Sequence, residues 1–148
     1  ECVKISSGYV VGGNGSAANI VGVLNGIFYN DASTLKPTFA NFYKATITPA
    51  NSEDTTAFVI DDPFQQYVVA ADAATGVTTF LETYDMNTSA GDDTTGKSSS
   101  TLDIGTTSAN GKQFRMLRSA EDPENEDATA VRHSVIVVSN LNSFNGHN

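Results

Sequence analysis

Asp61 and Asp62 are the first residues to weigh for chemistry, because paired carboxylates are a common means of moving a proton. Adjacent side chains on an extended chain point to opposite faces, so the two are badly placed to share one substrate atom. Pro63 follows them directly, and a turn is the better reading of the triplet. Asp85, Asp92 and Asp93 around a glycine-containing loop suggest calcium, as do the acids from Asp122 to Asp127. Neither run has the alternating Asp/Asn spacing and terminal Glu of an EF-hand loop, so both read as solvated loop charge. His133 alternates with valines and has no Cys or second His near it to complete a zinc set, and His147 stands in a polar tail. Gly12-Gly13-Asn14-Gly15-Ser16 lacks the Lys-Ser/Thr and the helix of a phosphate loop, and no Gly-x-Ser-x-Gly occurs. Asn14-Gly15-Ser16 and Asn87-Thr88-Ser89 fit the N-glycosylation triplet, but an Asn/Ser/Thr-rich chain produces such triplets by chance. The expectation is a protein that is not an enzyme, with no catalytic, cofactor-binding or metal-ligating residue assigned.

Composition narrows the class further. A chain of 148 residues fits one domain spanning its whole length. Only 17% of it is charged, and Thr, Ser, Asn, Ala and Gly are abundant, a mix suited to β-rich extracellular or capsid proteins. The net charge of −9, with basic residues scattered, repels nucleic acid and anionic lipid and favours a basic protein partner. Cys2 is the single cysteine, so no internal disulfide forms, and it reads as a small apolar strand residue. No run approaches the roughly 18 apolar residues of a membrane span. The chain starts at Glu1 without Met and already in a strand-like pattern, which implies a processed or incomplete product with an N-terminal segment missing.

The elements that must position these residues are strands. Cys2–Ile5 and 9–11 predict a hairpin, followed by a turn over Gly12–Ser16. Residues 19–24 and 27–29 are apolar on either side of Asn25-Gly26, which fits a type I′ turn or a bulge, the bulge being the better reading because the pattern resumes at once. Strands are expected over 39–48, 57–60, 66–71 and 77–84, the last ended by Asp85, with one helical turn near 70–75. Residues 87–101 form a long Thr/Ser/Gly/Asp loop, Leu102–Ile104 a short strand, and Asn110-Gly111 a hairpin turn before 113–118. Glu121–Asp127 is an acidic loop, and 131–140 is the strongest strand, central and covered on both faces. The fold class is all-β: a compact barrel or sandwich with long polar loops and little helix.

Several blocks carry a resemblance. They are Gly8-Tyr9-Val10-Val11, the run Val21-Gly22-Val23-Leu24-Asn25-Gly26-Ile27-Phe28-Tyr29-Asn30-Asp31, and Lys36-Pro37-Thr38-Phe39-Ala40-Asn41-Phe42-Tyr43. They continue with Ala57-Phe58-Val59-Ile60-Asp61-Asp62-Pro63, then Phe114-Arg115-Met116-Leu117-Arg118 ahead of Asp122-Pro123-Glu124-Asn125. With these the chain resembles the head decoration, or cement, proteins of tailed phages. The resemblance implies a virion structural protein on the outer capsid surface that bridges and stiffens the major capsid lattice, with copies of itself, such as a trimer, as further partners. It also implies an N-terminal arm ahead of Glu1, and contacts made by the loops 87–101 and 121–127 and by the termini. From the residues alone a rival stays open: a subunit of an extracellular filament that completes its sheet with a neighbour's strand. An incomplete sheet with an apolar groove favours that rival, and a closed barrel favours decoration. A carbohydrate-binding module is weaker, because the chain has no Trp, although its five Tyr offer a stacking surface.

Overall fold

The computed structural model describes residues 1–13, 19–87, 89, 91–109, 111–125 and 127–141. The turn expected at Asn14–Ser16, the Asn110 half of the Asn-Gly turn, Glu126 and the tail with His147 lie outside them. Among the described residues ten strands form two five-stranded antiparallel sheets in a compact sandwich, and the only helical pieces are two short 3-10 turns.

In the first sheet β1 (Cys2–Ser6) and β2 (Tyr9–Gly12) make the expected hairpin, with Lys4 opposite Val11. The spine is β3 (Gly22–Asn30). Along one edge it pairs first with β1, Cys2 opposite Val23, and then with β4 (Pro37–Ala40), Phe28 opposite Phe39. Along the other edge it pairs with β5 (Thr56–Ile60). Gly22 is required where these strands meet, because a Cβ there would fall on the carbonyl of Ile60.

The second sheet has the order β6-β10-β9-β7-β8, from β6 (Gln66–Ala70), β7 (Thr83–Asn87), β8 (Thr101–Ser108), β9 (Phe114–Ser119) and β10 (Ser134–Ser139). Its ends approach through one isolated parallel bridge, Ala71 to Leu102, where the Asp72 amide donates to the Leu102 carbonyl at 3.0 Å. One bridge does not make a ladder, so the sheet stays open and the barrel alternative is set aside. Between the sheets lies the core of Cys2, Ile20, Tyr84, Met86, Leu102, Phe114, Met116, Val135 and Val137. As expected β10 is central, with Val135 and Val137 fully buried, while Ile136 and Val138 are only half-buried on the other face.

Four expectations fail. Past Ala40 the strand expected to Thr48 gives way to turns, since no neighbouring edge accepts its backbone apart from an Asp31–Pro49 bridge. No helical turn forms at 70–75: the Ala71 amide goes to the His133 carbonyl and the Thr75 amide to that of Ala128. The strand expected at 77–84 begins instead at Thr83, because Thr79 turns both its amide and its hydroxyl back onto the Gly76 carbonyl and closes a 3-10 turn. Lastly, β8 and β9 are not a hairpin. β8 runs four residues beyond Ile104 to Ser108 and, like β9, pairs with β7, which lies between them.

Candidate functional site

The residues weighed for chemistry do not converge. Asp61 and Asp62 stand in an exposed turn whose shape is fixed by the Phe64 amide donating to Asp62 Oδ1 at 2.8 Å. Asp92 plays the same part in its own loop, accepting the amides of Thr94 and Thr95 and the Thr95 hydroxyl. The Thr94 amide first, and then Thr95, hold its carboxyl below the usual carboxylate value. Asp127 is lowered chiefly by the Thr129 hydroxyl, and Asp31 chiefly by that of Ser33. Asp85 does not end a strand as expected. It lies inside β7, 3% exposed, with Lys112 Nζ at 2.8 Å from its Oδ2.

His133 is buried on the core-facing side of the approach to β10, with Nε2 at 2.7 Å from Thr75 Oγ1. Burial pushes the Cys2 thiol up to about 11, which leaves it protonated and inert near neutrality. Among the described residues no three His, Cys, Asp or Glu side chains gather as a metal site would need. A shallow polar pocket of about 190 Å³ lies between Asn41–Tyr43 and the 91–98 loop.

What the fold does assemble is apolar. On β5, Thr56, Phe58 and Ile60 share one face, and register places Val23, Gly26 and Phe28 of β3 on that same face. Strict alternation would put Val23 and Phe28 on opposite faces. The bulge at Asn25 reverses the parity, so the face that covers the core at Val23 continues outward as Phe28, Phe58 and, across the β3–β4 pair, Phe39. The ring centroids of Phe28 and Phe39 are 4.7 Å apart, and those of Phe39 and Phe58 are 6.4 Å apart and stacked. Among the described residues nothing covers the outer two, Phe39 being 71% exposed and Phe58 45%, while Phe28 between them is half-buried. The opposite face here is closed, with Ile27 only 2% exposed.

Beside the foot of this blade a groove of about 340 Å³ runs between the two sheets. Its floor is Cys2, Val23, Tyr67, Val69, Met86 and Phe114, and Glu1, Ser98, Ser100 and Arg132 stand on its rim. β6 forms one wall and, among the described residues, pairs as a ladder only with β10, so its outer edge is open to them.

The aromatic face was missed by sequence reasoning, which assigned contacts to loops and termini. Aromatic enrichment at Phe39 and Phe58 was visible, but which residues stand side by side depends on strand register and on the parity change at Asn25. No family model, curated protein or solved structure matches this chain.

Proposed function

We propose that the chain is a non-enzymatic virion structural protein, a decoration protein that binds the outer surface of a tailed-phage capsid and stabilises the major capsid lattice. The observation that supports a binding role is the uncovered Phe28–Phe39–Phe58 face. Its phage identity rests on the sequence blocks that resemble the decoration proteins.

Burying one exposed aromatic side chain contributes about 2 kcal/mol, so a face of this kind supplies a few kcal/mol per copy. On a repeating lattice many such contacts add up to a large stabilisation of the shell. The charge of −9 acts in the same direction, keeping free copies apart in solution and guiding them to a basic surface.

One observation favours a second reading. The open edge of β6 beside an apolar groove suits a filament subunit that receives a neighbour's strand. Sedimentation of the purified chain with capsid shells separates the two. Co-sedimentation that is lost in a Phe39→Ser/Phe58→Ser variant is the expected result, and concentration-dependent fibres without shell binding would overturn the decoration reading.

A further inference from the structure

β6 is a wall with one finished side and one unfinished side. Where it meets the approach to β10, the Ala71 amide donates to the His133 carbonyl at 3.0 Å and the Arg132 amide to the Ala71 carbonyl at 2.9 Å. Arg132, at φ 67, thus takes the left-handed position of a bulge. These bonds set the phase of the ladder. By alternation Tyr67 and Val69 bond to β10, and Val68 turns its N–H and C=O to the open side.

Natural edge strands are commonly guarded by Lys, Pro or a bulge of their own. Gln66-Tyr67-Val68-Val69-Ala70 has none of these, and Val68 is 67% exposed. Among the described residues the edge is capped only beyond its end, by the Ala71–Leu102 bridge.

We infer that the open edge of β6 and the groove beside it receive an extended segment of a partner protein, apolar at alternate positions and cationic where it passes Asp61 and Asp62. Main-chain bonds would form to Val68, and every second side chain would enter the groove over Met86 and Phe114. The polarity of the segment follows from the charges at the ends of β6. Asp61 and Asp62 precede Gln66 and directly follow Ile60, whose carbonyl the Tyr67 hydroxyl approaches at 3.5 Å, whereas Arg132 stands at the Ala70 end of the groove.

A second copy of this chain is the poorer occupant, since it brings a further −9 to a groove whose entry is already acidic. The inference rests on the β6 topology and not on the capsid reading, so either can fail alone.

The test uses a synthetic peptide of about ten residues, alternating Val with Ser or Thr and ending in two Lys, against the same peptide ending in two Glu. Binding is read by NMR together with hydrogen exchange at Val68. The Lys peptide is expected to bind about tenfold more tightly than the Glu peptide and to slow exchange at Val68. Val68→Pro removes only the outward donor and is expected to weaken binding about tenfold with the β10 pairing intact. An Asp61→Lys/Asp62→Lys variant, altered only in an exposed turn, is expected to reverse the peptide preference, and it decides the matter if Val68→Pro fails to fold. Unchanged exchange at Val68 with the peptides in excess, equal affinity for both peptides, or strand exchange between copies of the chain would overturn the inference. Co-sedimentation with shells by a variant that has lost peptide binding would leave the capsid proposal standing.

Discussion

The half of the molecule gathered around β9 and β10 and the blade made by the far ends of β3, β4 and β5 use their apolar residues in opposite ways. Around β10, Met116, Val135 and Val137 lie between sheets and are withdrawn from water. On the blade one face is closed over Ile27, while the other holds Phe39 and Phe58 in the open, although rings of that size would bury well. Folding stability resides in the first region, and the second is left available for contact. β3 links the two: its Val23 packs against that core, and the Asn25 bulge lets the same sheet face continue onto the blade as Phe28.

Mutations that separate the regions should do so most strongly in the core. Leu102→Ala, at a side chain with no exposure, is expected to cost about 3 kcal/mol in denaturant unfolding, whereas Phe39→Ala should cost less than about 1 kcal/mol. Equal losses at the two sites would erase the distinction.

Lys112→Ala is next in size. It leaves the buried Asp85 carboxylate without its cation and should cost about 2 kcal/mol, less than a fully enclosed pair because Lys112 keeps 27% of its side chain in solvent. Asp85→Asn in the same background should recover part of that loss in thermal melts.

Thr75→Val removes the hydroxyl partner of His133 Nε2 and is expected to cost about 1 kcal/mol, without any change in peptide or shell binding.

The smallest effects belong to the exposed turns. Asp31, Asp92 and Asp127 have carboxyls lowered from the ordinary 3.8 by hydroxyl and amide donors. A lowered folded value means that the stabilisation is complete above 3.8 and is lost as pH falls through the folded value. NMR titration should therefore find all three below 3.8, with the turns loosening in acid before β9 and β10 do; normal titration of all three would remove this account of the loops.

Much of the second sheet was legible in the chain. Val135-Ile136-Val137-Val138 is apolar on both faces, a pattern that suits a strand in the middle of a sheet, and β10 does lie between β6 and β9. The Asn25 bulge was legible because the apolar pattern resumed immediately after Gly26. By contrast β7 was misplaced, since Asp85 looks like a strand terminator until Lys112, distant in sequence, is seen to neutralise it. The Ala71–Leu102 bridge and the open edge of β6 are long-range facts of the same kind. The candidate site was less legible than the fold, because exposure of Phe39 and Phe58 is decided by what fails to pack against them.

The most direct test of the account is electron microscopy of native particles carrying this chain. The expected result is density for the sandwich on an icosahedral shell at junctions between capsid subunits, with Phe39 and Phe58 turned into the contact. A helical fibre whose subunits fill one another's β6 edge, or a shell-bound chain with its aromatic face turned to solvent, would contradict it.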